Sequence, residues 1–385
     1  MKLKVVAPVA MMLSVAAVLT LVSALAYQNA TDTVGWAKEK QLSSITTMIE
    51  LLLRDQAHAT TATAELLAAL PQVGELTAKG DRDGLIRMLM PGYQKAVTKY
   101  GVESGAVVTP PALTLVRLHN LGRFGDDQSG TRRIMAFANQ TREVQSGLEI
   151  SSVVGMRGVA PIYNGSVHVG ALEWATGLGA MVTEVKDVTG AELAVLIKDA
   201  VIPAESAVRK NEAHRLKDMI AAEATDWPYL ASVLQESDAD RINEGAVFTR
   251  TVGGVDVGVV KVPLFDFSGK NVGEILAVKE ISEFGRTLKD TLVRLAVAGS
   301  LGLLFTTCII LLIISGTLLR PMERLGRRLA DLAKGDYSTK VEGAGRRDEI
   351  GVLAASVESV RIDLLRRFPP GSAPSLDAGS KGAGQ

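Results

Sequence analysis

The side chains best able to do chemistry crowd into one stretch, from His119 to Trp174, of a 385-residue chain. There His119, Asn120, Asp126, Asp127, Gln128, Arg132, Arg133, Arg157, Glu173 and Trp174 flank segments of strand-like pattern. Arg132 or Arg157 is suited to clamp a carboxylate through its planar fork of donors. Asp126 or Asp127 is suited to hold an amine. Trp174 and Phe124 offer an aromatic wall or a face for a quaternary ammonium. A few fixed polar groups in an apolar frame are what a small-molecule pocket needs. The same residues also have plainer uses. Asp127 or Ser129 fits a helix N-cap, Arg157 and Glu173 fit a cross-strand ion pair, and Arg132-Arg133 fits a solvated surface.

Other chemistries find less support. His119, Asp126 and His168 lack a tight ligand spacing such as H-x-x-x-H, so no metal is expected. The single cysteine, Cys308, excludes a disulfide framework and Cys-based zinc or iron–sulfur sites. No G-x-S-x-G elbow, H-E-x-x-H pair or P-loop occurs, and the expectation is a protein that is not an enzyme and has no cofactor. Lys+Arg (42) balances Asp+Glu (42), which leaves no global charge to recruit nucleic acid.

These residues need a scaffold. Between Val34 and Ala69 the only helix breaker is Gly35, and Leu42, Ile45, Met48 (or Ile49) and Leu52 recur at helical spacing. A second helix is expected from Leu85 to Tyr100, broken at Pro91-Gly92. The period then changes. Gly105–Pro110, Leu113–His119, Met156–Tyr163 and His168–Ala175 read as strands, with Thr131–Arg142 a helix between them. Asn164-Gly165 is a strong hairpin signal. The pattern returns: Val159–Glu173 is echoed by Val260–Leu276, with Pro161 and Pro263 offset by 102 and Gly170 and Gly273 by 103. A repeat of this kind implies two copies of one α+β module, each an antiparallel sheet with helices packed on it.

Two runs carry no charge: Val5–Tyr27, 23 residues, and Leu295–Leu319, 25 residues. Each suffices to span the roughly 30 Å hydrocarbon core. Lys2 and Lys4 precede the first, while Arg320, Arg324, Arg327 and Arg328 follow the second, which orients both of those ends to the cytoplasm. Ala24-Leu25-Ala26 also resembles a signal-peptide cleavage site. Cleavage there would leave one span, with the middle segment outside in either case. Beyond the second run, Pro321 fits the first turn of a new helix. Leu325, Leu329 and Leu332 form one seam, and Ile350, Leu353, Val357, Val360 and Leu364 form another, opened by Asp348-Glu349.

The segment 320–368 resembles a HAMP domain through that proline, Leu332–Asp336, and Asp348-Glu349-Ile350-Gly351. The outer segment resembles a double Cache sensory domain of bacterial chemoreceptors and sensor kinases. The resemblance rests on Arg117–Asn120, Phe124–Ser129, Arg157–Pro161 and Val169–Trp174. It implies an α+β fold with two transmembrane helices: a cytoplasmic N-terminus (1–4), helix one (5–27), a sensory domain (28–294; distal module about 70–180, proximal about 185–285), helix two (295–319), HAMP (320–368) and a disordered tail (369–385). It also implies a bacterial inner-membrane homodimer. The ligand, a carboxylate, amino acid or amine, would sit in the distal module at His119, Asp126, Asp127, Arg132, Arg157, Glu173 and Trp174. The signal would pass through Pro321, Leu325, Leu329, Glu349, Ile350, Leu353 and Val357 of a parallel four-helix HAMP bundle. Chemoreceptors continue with a helical hairpin, and sensor kinases with a phosphorylatable histidine helix. Neither pattern occurs, so output is expected from a cytoplasmic kinase-coupled partner or a complete receptor. The alternatives are a truncated receptor acting through mixed dimers and a structural membrane protein.

Overall fold

The computed structural model describes residues 3–234 and 247–368. The expected tail 369–385 lies outside the described residues. Two compact units form, one of Asp32–Thr287 and one joining Met1–Thr31 to Leu288–Gln385.

In the Asp32–Thr287 unit the long helix α1 (Leu3–Ala68) turns Leu42, Ile45 and Ile49 into the core, with Met48 and Leu52 partly buried beside them. Helices α2 (Pro71–Lys79) and α3 (Arg82–Tyr100) follow. The expected break at Pro91-Gly92 does not occur: α3 runs through Pro91. Pro91 is exposed, so water can satisfy the carbonyl that its missing N–H leaves free, while buried Leu85, Leu89 and Tyr93 pin the helix to the core on both sides.

The first sheet comprises β1 (Val102–Thr109), β2 (Leu113–Arg117), β3 (Gln145–Ile150), β4 (Val154–Asn164) and β5 (Val167–Gly177), in the antiparallel order β2-β1-β5-β4-β3. Alternation sorts its faces. Ala160, Ile162, Leu172 and Trp174 pack with Ala64 and Ala68 of α1. Val159 and Ala171 pack with Ile134, Met135 and Ala138 of α4 (Arg133–Thr141). Gly158 permits the first contact: a Cβ there would stand 2.4 Å from the Thr61 backbone of α1.

The second sheet repeats the plan. It comprises β6 (Glu192–Lys198), β7 (Arg215–Leu216), β8 (Met219–Ala224), β9 (Val247–Val252), β10 (Val255–Phe265) and β11 (Asn271–Glu280), in the order β7-β8-β6-β11-β10-β9. Residues of α1 and α5 (Gly179–Thr189) cover one face, and α6 (Trp227–Val233) covers the other. Each module is thus an antiparallel sheet between helices, built round the repeated hairpin.

The other unit contains most of α7 (Ser282–Ile314), a π-helical turn (Ser315–Leu319), α8 (Arg320–Ala333) and α9 (Glu349–Arg367). Among the described residues, helices Leu13–Ala68 and Ser282–Ala333 are long and apolar enough to cross a membrane. Pro321 stands in the first turn of α8, as expected, and the π-helical turn before it joins α8 to α7 as continuous helix. An α-register would press the proline ring against the Thr317 carbonyl and demand an N–H that Pro321 lacks. Leu325, Leu332, Val341, Ala354 and Val357 form this unit's core. Leu329, Leu353 and Val360 remain exposed. Each expected seam is therefore divided between an inward and an outward face.

Candidate functional site

On the α4 face of the first sheet, β4 contributes Arg157, β5 Glu173, β3 Glu149 and the residue before α4 Arg132. All four are buried, and Arg157 and Glu173 are wholly inaccessible. Glu173 Oε1 accepts from Arg157 Nη1 at 3.0 Å, from Arg132 Nη2, and from Ser104 Oγ at 2.9 Å. Glu149 Oε2 lies 3.3 Å from Arg157 Nε and 3.5 Å from Arg132 Nε, and its Oε1 accepts the Ile134 N–H at 3.0 Å. Ser151 Oγ accepts from both arginines. The quartet is electrically neutral.

Its two carboxylates are pushed apart. Burial drives both upward. Arg132 and Arg157 outweigh burial at Glu173 and hold it at about 2, whereas at Glu149 burial wins and the carboxyl stays above its usual range. Burial, reinforced by the like charge of Arg132, pulls Arg157 down. Glu173 Oε2 is buried with no hydrogen-bond donor.

The structure gathers Arg132, Arg157 and Glu173 from the sequence-derived set and separates the rest. Asp126 makes a bidentate pair with Arg117 at 2.7 Å on both branches. That hydrogen bond outweighs burial and holds Asp126 at about 2. Asp127 accepts the Ser129 N–H at 2.9 Å, closing a local turn. His119 is exposed just past the end of β2. Trp174 points to the opposite face, edge-on to Tyr93 with centroids 5.8 Å apart. Phe124, considered as an aromatic wall, is exposed, with the Arg82 guanidinium 4.2 Å from its ring centre. Sequence reasoning missed Glu149, Ser104, Ser151 and Arg117. Arg117 is the first residue of the Arg-Leu-His-Asn run, and its position before an acidic loop was the available signal.

Behind the sheet, α1, α3, β1 and β5 line an open-sided cavity of about 580 Å³ whose walls include Gln56, Thr60, Ala96, Tyr100, Trp174 and Thr176. In the second sheet the corresponding charged feature includes the pair Lys261 Nζ to Glu274 Oε2 at 2.6 Å. Among the described residues no cluster of His, Cys, Asp or Glu could hold a metal.

Below the apolar run, Arg346 Nη2 donates to the Thr317 carbonyl at 3.3 Å, the acceptor that Pro321 leaves free. Arg346 Nε also donates to Asp348 Oδ2 at 3.0 Å, and Asp348 Oδ1 accepts the Gly351 N–H at 2.9 Å as the N-cap of α9. The Arg346 hydrogen bond holds Asp348 at about 2. Gly351 is required because a Cβ there would meet the Arg346 carbonyl at 2.1 Å.

Residues 37–284 match the family model dCache_3, the double sensory domain of two-component sensor kinase. The chain belongs to this family. Residues 313–366 match the HAMP domain. The Cache chain is also similar to solved structures. One is the ligand-binding domain of the Campylobacter jejuni chemoreceptor Tlp3 in complex with 4-methylisoleucine, at 10% identity and a TM-score of 0.43, covering 66% of this chain and 94% of that one. Another is the extracellular domain of the putative histidine kinase vpHK1S-Z8, at 11% and 0.42, covering 69% and 99%. A third is the V. cholerae histidine kinase DctB sensor domain, at 12% and 0.39, covering 66% and 99%. No curated protein matches the sequence. A Cache domain followed by HAMP marks a transmembrane signalling receptor of chemoreceptor or sensor-kinase type. Both families are signalling input modules rather than catalytic ones.

Proposed function

We propose that this Cache receptor senses a small zwitterion, of the amino acid class, at the buried quartet in its distal module. The observation that carries the reading is charge neutrality within a closed cluster. Its two guanidinium and two carboxylate groups already balance in charge, so a ligand bringing one carboxylate and one ammonium can exchange partners without leaving net buried charge. The ligand carboxylate takes donors from Arg132 and Arg157, and the ammonium takes Glu173 Oε2, which has no donor of its own. Entry requires α4 and the Asp126–Gln128 loop to lift. Arg117–Asp126 and the Asp127 turn shape that loop, His119 stands at its base, and Trp174 backs the strand from the other face. The ligand shifts signalling only through its preference for one arrangement of loop and sheet.

The sensory segment lies outside a bacterial inner membrane, and α7 carries the change through the apolar run 295–319 to HAMP. There Arg346 ties the π-helical turn to the α9 N-cap, so a change in that turn reaches α9 directly. The exposed Leu329, Leu353 and Val360 supply the seam for a second copy, and a homodimer repacks as the output step. The kinase-coupled partner reads that repacking. Couplings of this kind are typically about 1–3 kcal/mol.

Arg132→Lys keeps the charge but removes the fork. Titration of amino acids into the full chain in nanodiscs is expected to show at least a tenfold loss of affinity, with melting still cooperative. Unchanged affinity for every amino acid bound by the native chain overturns the site. Arg346→Gln leaves that affinity intact and shifts the signalling set point. An unaltered set point removes Arg346 from the relay.

A further inference from the structure

The cavity on the α1 face of the distal sheet has no part in the reading above and does not depend on it. We propose that it is a second ligand site, for an uncharged, largely hydrocarbon molecule carrying one hydroxyl or N–H donor. Its volume, about 580 Å³, lies within the range of small-molecule pockets. No charged side chain lines it, so an ionic ligand would find no counter-charge in its walls. Trp174, fixed edge-on by Tyr93, gives a rigid aromatic wall.

Two polar atoms set the ligand's polarity. Gln56 Nε2 donates to the Gly177 carbonyl at 2.7 Å, which leaves its Oε1 buried without a donor. Thr176 Oγ1 is likewise buried without a partner. The Thr60 hydroxyl, in the same wall, is already satisfied by the Gln56 and Ala57 carbonyls. A buried acceptor left unmade carries a desolvation penalty that a ligand donor relieves. Gln56 and Thr60 belong to α1 and Ala96 and Tyr100 to α3, so filling the cavity acts on the long helix itself. Trp174 is the next residue to Glu173 in β5. The two sites thus address opposite faces of one strand.

Trp36→Phe with Trp227→Phe leaves Trp174 as the sole tryptophan of the three in the chain. The full chain in nanodiscs is titrated with 4-phenylbutan-1-ol, its methyl ether and sodium 4-phenylbutyrate, with empty nanodiscs subtracted. The expected result is a saturable change in Trp174 emission with the alcohol, severalfold weaker binding of the ether, and at least tenfold weaker binding of the carboxylate. Ala59→Phe, at an exposed α1 position in the wall, is expected to abolish the alcohol response while melting stays cooperative. Thr63→Phe is the second filler should Ala59→Phe fail to fold. No saturable response, equal binding of the carboxylate, or an unaltered response in the filled variant overturns the site. So does emission that depends on protein concentration and ignores the alcohol, which is the signature of a second copy packed there.

Discussion

The two Cache modules share one hairpin but not its outward chemistry. At the repeat offsets of 102 and 103, Arg157 corresponds to Val259 and Glu173 to Leu276. Val259 and Leu276 are as fully buried as their charged counterparts, in the cluster under α6. The fold therefore does not need charge at these positions, since its second copy closes with an aliphatic pair. A buried ion cluster is weak evidence for stability, because its desolvation cost offsets most of the Coulomb gain. The difference supports the proposal that the distal quartet serves recognition while the proximal sheet serves as structural core.

Removing one member tests this most severely. Glu173→Leu leaves Arg132 and Arg157 against Glu149 alone, a buried net charge, and should cost about 3–5 kcal/mol in denaturant unfolding. Pairing it with Arg157→Met restores neutrality and imitates the proximal module. Stability should then return to the native level or exceed it by about 1–4 kcal/mol, while amino acid binding disappears. A double variant that folds well and still binds would break the comparison.

Acid gives the next largest effect. Glu173 is held at about 2 against an ordinary value of 4.5. A depressed carboxyl stabilises the fold above its unfolded pKa, and that contribution is lost as pH falls from 4.5 towards 2. It amounts to roughly 3 kcal/mol. Glu149 is raised, so its contribution has the opposite sign and falls above pH 4.5, outside that window. Unfolding followed across that window should show a flatter limb in the Arg157→Met/Glu173→Leu variant than in the native chain. Identical slopes would mean that Glu173 does not titrate as the geometry requires.

Much of the comparison was legible from sequence because it rests on local signals. The Asn164-Gly165 turn and the spaced prolines mark the repeat, and Leu42, Ile45 and Ile49 mark the face of α1. Arg157 and Glu173 were readable as cross-strand partners once both strands were placed. Glu149 was not, because β3 (Gln-Ser-Gly-Leu-Glu-Ile) has little strand pattern of its own and exists through pairing with β4. Helix α2 escaped because nine residues carry too few periods, although Pro71 at its start was a usable cue. Pro91 misled in the other direction, since tertiary packing carried α3 past it. The inward and outward halves of the HAMP seams could not be told apart, because heptad spacing marks both and only the α8–α9 packing divides them.

The smallest expected effect sharpens the comparison from the proximal side. Lys261 and Glu274 correspond to Val159 and Ala171 of the distal module, and they pair with each other. Burial pushes Glu274 up despite the hydrogen bond from Lys261. This pair has a route of relief that the quartet lacks. The flexible stem of a lysine can carry its ammonium towards water, whereas a guanidinium has no such route when wholly enclosed. Installing the distal residues with Lys261→Val and Glu274→Ala should change stability by no more than about 2 kcal/mol and leave amino acid affinity unaltered. Loss of binding in that variant would place recognition in the proximal sheet and reverse the division of labour between the modules.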